Sequence, residues 1–173
     1  MESSHSDKTQ QGNYFFLIFA LLLLVLFTLE LLSVVQTHIV NPWTYFLSKI
    51  GAAIILLFDD GVIAYQQVIQ NTETGFAVAI APGCNGIEAV IVLLAAILAY
   101  PATIKDKLLG ISIGIIAIQL MNIVRIISLF YLGQYNETLF DWAHSYIWQA
   151  LIMLDVLIVY LFWLRRINKS ANA

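Results

Sequence analysis

Charge is scarce in this chain. Of its 173 residues only 11% are Asp, Glu, Lys or Arg, where a soluble domain carries roughly a quarter. With 61% hydrophobic residues and a mean hydropathy of +0.86, that shortage excludes a soluble fold and predicts an integral membrane protein of one compact domain. Cysteine occurs once, so no internal disulfide can staple the fold and the thiol is free. No His-Glu-x-x-His run is present and no pair of aspartates falls on facing spans, which argues against zinc and aspartyl proteases. Nothing in the sequence calls for a cofactor or a metal. The net charge of −3 gives no basis for nucleic-acid binding.

What the chain has instead is long apolar runs. Residues 14–35 are interrupted only by Glu30; residues 87–100 end at Pro101; residues 108–132 and 145–164 follow. Each is near the ~20 residues that cross a hydrocarbon core of about 30 Å, which predicts four transmembrane helices. The first run is too long for a signal peptide and lacks a cleavage site, so it reads as a retained helix. Residues 43–58 are short for a span and contain Lys49. A helix on or in the outer interface is the favoured reading there, and a fifth span the alternative. Residues 1–13 read as a disordered cytoplasmic tail, and residues 14–169 as a single membrane domain.

Lys105, Lys107, Arg165, Arg166 and Lys169 make up five of the eight basic residues. They flank the predicted spans on one side, which places that side and the C-terminus in the cytoplasm. The opposite loops carry Asp59, Asp60, Glu73, Glu137 and Asp141. Two β-favouring runs, residues 62–69 and 76–80, enclose a turn-like Asn-Thr-Glu-Thr-Gly. They predict a small extracytoplasmic β-hairpin whose second strand leads to the cysteine. The expected fold is thus an all-α polytopic membrane protein of about four transmembrane helices, an interfacial (or fifth) helix and that hairpin.

Three residues are out of place in so apolar a chain: Cys84, Arg125 and His144. At 1.5 Å per residue, Cys84 lies about 31 Å along the chain from Lys105, Arg125 roughly 27 Å from Lys107, and His144 about 31 Å from Arg165. All three therefore reach the outer edge of the hydrocarbon core on consecutive helices, although this reasoning gives depth and not rotation. Pro82-Gly83 before Cys84 and Asn85-Gly86 after it suggest a tight turn into a helix N-terminus, where free N–H groups would lower the thiol pKa. The bland reading of a lone cysteine is a small buried hydrophobe.

Arg125 inside a span costs ~2.5–3.5 kcal/mol on insertion scales, which favours a functional role over snorkelling to headgroups. Asn122 shares its helical face. Asp141, three residues before His144, is positioned to orient the imidazole, whereas Trp142 and Trp148 suggest a plain aromatic belt. Glu88 can pair with Arg125, bind substrate or simply favour the helix N-terminus. His38, Asp59 and Asp60 receive no role.

The segments Pro82-Gly83-Cys84-Asn85-Gly86-Ile87-Glu88-Ala89, Asn122-Ile123-Val124-Arg125-Ile126 and Phe140-Asp141-Trp142-Ala143-His144 together resemble the exosortase/archaeosortase family of membrane cysteine transpeptidases. Gly-Cys-Asn-Gly-Ile-Glu-Ala in a short chain is most similar to the exosortase H subgroup; many exosortases have Cys-Ser-Gly instead. The resemblance covers roughly residues 30–165. It implies Cys84 as nucleophile, Arg125 as electrostatic stabiliser and His144 as acid/base, with Asn85, Gly86, Glu88, Asn122 and Asp141 in support.

It also implies partners: exported proteins ending in a short motif, a hydrophobic helix and a basic tail, and a surface acceptor molecule. The H subgroup is associated with tails of IPTLxxWG type. The implied location is a bacterial inner membrane, with the site near the extracytoplasmic face. A substrate helix would pack against small residues such as Gly110 and Gly114. The rival reading is a non-catalytic membrane subunit or small transporter with a polar path at Arg125.

Overall fold

The computed structural model describes residues 3–171, with side chains over residues 14–169. Helix α1, Ser3–Glu30, holds the first apolar run, and its backbone extends from Ser3 through most of the segment expected as a disordered tail. The side chains of residues 1–13 lie outside the described residues. The run predicted to reach residue 35 stops at Glu30. Leu31 and Leu32 break the helix, and the chain resumes as a single turn, α2 (Ser33–Val35), a π-helical segment (Gln36–Val40) and α3 (Asn41–Ile55). The two helical arms meet at a 67° bend. Residues 43–58 thus belong to a helix that starts earlier than expected and turns sharply away from α1.

The segment predicted as one hairpin is a three-stranded antiparallel sheet, β1 (Val62–Tyr65), β2 (Val68–Asn71) and β3 (Ala77–Ala79). The first β-favouring run folds back on itself. Tyr65 pairs with Val68 across a two-residue turn in which Gln66 takes φ +51°, a conformation that tight hairpins require and that turn glycine or asparagine normally signals. The buried Ser48 hydroxyl donates to Gln66 O at 2.7 Å and pins this turn to α3. The second turn is built as its sequence suggests. Asn71 Oδ1 accepts from the N–H groups of Glu73 and Thr74, and Asn71 Nδ2 donates to Gln134 Oε1 at 3.3 Å.

Helix α4 spans Ile87–Ala99, thirteen residues or about 20 Å. It is shorter than the span predicted there, because Gly83 and Gly86 at positive φ bound one end and extended backbone at Tyr100, ahead of Pro101, bounds the other. Helix α5, Ile104–Tyr135, opens on a Thr103 cap that accepts from Asp106 N. Asn136 caps α6 (Glu137–Trp142), which runs through a π-helical segment, Ala143–Ile147, into α7 (Trp148–Ala171). Among the described residues two helices are long and apolar enough to cross a membrane, Ile104–Tyr135 and Glu137–Lys169, and the bent pair would make a third.

Two cores organise the chain. One joins α3, the sheet and the far half of α5 through Leu47, Ile55, Ile69 and Phe130. The other joins α4, the near half of α5 and α7 through Leu93, Ile97, Ile118 and Trp163. In the second, α5 is bare where its neighbours press closest. A Cβ at Gly110 would overlap the Trp163 indole, and one at Gly114 would overlap Leu93. Both glycines are therefore already covered from within and do not offer the contact surface for a substrate helix that their sequence suggested. Trp163 Nε1 donates to Asp106 O at 2.8 Å, which places Lys105 and Lys107 at the same end as Arg165 and Lys169.

Candidate active site

The loop between β3 and α4 carries Cys84, and its shape is set locally. Gly83 at φ +85° and Gly86 at φ +76° occupy the left-handed region, which few residues other than glycine enter without cost. A Cβ on Gly86 would also come within 2.9 Å of the Gln119 amide. The Gly83 N–H donates to Glu88 Oε1 at 2.6 Å. Asn85, 1% exposed, accepts from Ile87 N and donates to Thr44 Oγ1 at 3.1 Å, fixing the loop to both α4 and α3. Trp43 Nε1 reaches Asn85 O at 3.4 Å. The ambiguous segment 43–58 thus supplies a wall of the site.

The three residues meet laterally, although the stretch from Lys105 to Cys84 used for the depth estimate is not one continuous helix. Cys84 Sγ and His144 Nε2 lie 3.0 Å apart. Arg125 Nη2 points at the same sulfur from 3.5 Å, within reach for a sulfur acceptor, and its Nη1 is 3.5 Å from Gly83 O, long for an N–H···O bond. The three residues come from the loop before α4, from the buried face of α5 and from the π-helical segment after α6. A π segment adds a residue to one helical turn, a distortion that recurs at functional sites.

The supporting residues divide by what they touch. Glu88 bonds the turn backbone and makes no ion pair with Arg125 among the described residues. Asp141 is exposed, and among the described residues it makes no hydrogen bond to His144. The ring that meets the imidazole is Phe140, stacked one turn earlier at 5.7 Å and 6°. Sequence reasoning passed over it, although the spacing of four on a helix was visible.

Asn122 is fully buried, yet neither amide atom has a partner among the described residues; Arg125 Nε and Gln119 Oε1 are in the same state. Gln119, Asn122 and Arg125 recur every three residues and form a polar seam on an otherwise apolar helix. That spacing is legible in the sequence, although only Asn122 was singled out beside Arg125.

The electrostatics of the cysteine correct one expectation. Burial pushes the Cys84 thiol above its ordinary value and Glu88 adds to this, while Arg125 pulls it down without reversing the shift. Burial therefore favours the neutral thiol, against the lowering expected at a helix N-terminus. A neutral thiol beside an imidazole needs that imidazole to take its proton.

The site cavity is small, about 30 Å³, bounded by Val78 and Ile80 of the β3 segment, Leu129, and Phe140. That is room for one water-sized group. No cluster of three or more His, Cys, Asp or Glu able to hold a metal occurs among the described residues.

No curated protein and no solved structure matches the chain. A family model described as transmembrane exosortase (Exosortase_EpsH) matches residues 11–163, which takes in the whole Cys84 loop, Arg125 and the Phe140–His144 stretch, and the chain belongs to that family.

Proposed function

We propose that the protein is a membrane-embedded cysteine transpeptidase that cleaves the C-terminal sorting tails of exported proteins through a thioester and transfers them to a surface acceptor. The observation that carries this reading is the Cys84 Sγ–His144 Nε2 distance of 3.0 Å, with the Arg125 guanidinium on the same sulfur. Family membership supplies the substrate class. On this reading four helices cross a bacterial inner membrane, the C-terminus is cytoplasmic and the trio lies near the outer face.

The chemistry follows from the resting state. With the ring proton on Nδ1, His144 Nε2 takes the thiol proton as Sγ attacks the scissile carbonyl. The C–S bond forms and the carbonyl oxygen becomes an oxyanion. Arg125 stabilises it, and the N–H groups of Asn85 and Gly86, which have no hydrogen-bond partner among the described residues, are the further donors the loop offers. Collapse breaks the C–N bond, and the imidazolium gives its proton to the leaving amine. An acceptor amine, deprotonated by His144, then attacks the thioester and releases Cys84 with its proton restored. Water in place of the amine gives hydrolysis.

A 30 Å³ cavity holds the reacting carbonyl and not a peptide motif. β3 is an edge strand of the sheet and borders that cavity, so the extended motif is taken up as an added strand. The test is to trap an acyl-enzyme with a tail-bearing substrate and locate the acyl group by mass spectrometry. A fragment on Cys84, absent in Cys84→Ala, is the expected result. Undiminished processing by Cys84→Ala would overturn the assignment and favour a transporter-like role for the Arg125 seam.

A further inference from the structure

A groove at the opposite end of the helices takes no part in this reaction. It runs between α5 and α7 with a volume of about 930 Å³, within the range of ligand clefts, about 300–1,000 Å³. Leu109, Ile113 and Phe162 form apolar walls, and Trp163 the floor. The floor is held in place: the indole donates to Asp106 O at 2.8 Å and meets the Tyr100 ring edge-on at 5.7 Å. Arg165 and Lys169, one turn apart on α7, stand at the rim, and no acidic residue lines the groove.

We propose that this groove binds an anionic phospholipid of the surrounding bilayer, its phosphate between Arg165 and Lys169 and an acyl chain along Leu109, Ile113 and Phe162. Basic end residues that merely snorkel need no cleft beneath them. Here an apolar slot with a fixed floor opens directly below the charges, the arrangement by which basic pockets between membrane helices take anionic headgroups. The competing occupant, the hydrophobic helix of a sorting tail, ends in basic residues that would meet a rim of like charge. The inference stands apart from the catalytic reading, because lipid retention is measured without turnover.

The test is native mass spectrometry of the full chain in detergent, titrated with phosphatidylglycerol or with phosphatidylcholine of the same acyl chains. The expected result is one retained phosphatidylglycerol and no retained phosphatidylcholine. R165Q/K169Q should weaken phosphatidylglycerol binding roughly thirtyfold, the equivalent of about 1 kcal/mol for each charge removed. Ile113→Trp, which fills the slot and keeps both charges, should also lose the lipid, so either variant decides if the other fails to fold. Equal retention of the two lipids by the wild type, or full retention of phosphatidylglycerol by both variants, would overturn the proposal. So would its displacement by a sorting-tail peptide.

Discussion

At one end of α5, Gly110 and Gly114 leave bare backbone for Trp163 and Leu93, while farther along the helix Gln119, Asn122 and Arg125 bury polar side chains. The first half lets three helices approach closely at little cost, since glycine brings neighbouring backbones together and dispersion does the rest. The second half does the opposite. It buries an arginine, two amides and a thiol contact, which costs several kcal/mol wherever partners are incomplete. Close packing dominates at the basic end, and toward the sheet end Gln119, Asn122 and Arg125 keep buried polar atoms without a partner among the described residues, Arg125 reaching Cys84. The contrast teaches that the near half holds the helices together and the far half spends that stability on a site.

Breaking the contrast should separate turnover from stability. The largest effect belongs to the site end: Arg125→Lys keeps the charge but loses the planar fork, and should lower processing of a tail-bearing substrate by about 10²–10³-fold. Single-turnover acylation rates at unchanged protein level would check it. At the other end, Gly114→Val forces a side chain into Leu93 and should cost about 1–3 kcal/mol in a denaturation series, with turnover per folded molecule kept. Comparable loss of turnover in Gly114→Val would dissolve the distinction between the two halves.

Smaller effects sharpen it. Phe140→Ala removes the ring stacked on His144 and should reduce kcat/KM by roughly 2–10-fold, the worth of an aromatic contact. Asp141→Asn should change it less, by about twofold, because among the described residues the carboxylate makes no hydrogen bond to the imidazole and acts on it only through space. For the thiol itself, burial favours the protonated form, so iodoacetamide labelling should climb with pH and reach half its maximum above the ordinary thiol value near ~8.5. Arg125→Gln removes the cation that pulls the thiol down, so the midpoint should move higher still. A midpoint below the ordinary value would show that a thiolate–imidazolium pair prevails at rest.

Much of this was legible from residue type and spacing. Scarce charge and long apolar runs indicated membrane helices, and Lys105, Lys107, Arg165 and Lys169 gathered at one end as their positions suggested. Helix rise brought Arg125 and His144 to one end of their helices, whereas the stretch from Lys105 to Cys84 proved not to be one continuous helix. Rotation about each helix axis was beyond the sequence, so Phe140 and not Asp141 as the neighbour of His144 went unread. Gln66 gave no warning of a tight turn, since glutamine is not a turn residue, and the single hairpin became three strands. The bend at Leu31–Leu32 had only Glu30, the one charged interruption of the run, to announce it, and no glycine or proline marks the break.

The sequence by itself determined which segments are apolar, where Gly83 and Gly86 permit a left-handed turn, and which three residues are chemically out of place. Those are properties of single residues and their nearest neighbours. Only the tertiary structure decided that Thr44 and Trp43 brace the cysteine loop, that Gly110 and Gly114 are covered from within, and that burial favours the neutral form of the Cys84 thiol. Each of these depends on which surfaces from distant parts of the chain exclude water together. Burial of that kind is a property of the packed assembly and of no segment alone.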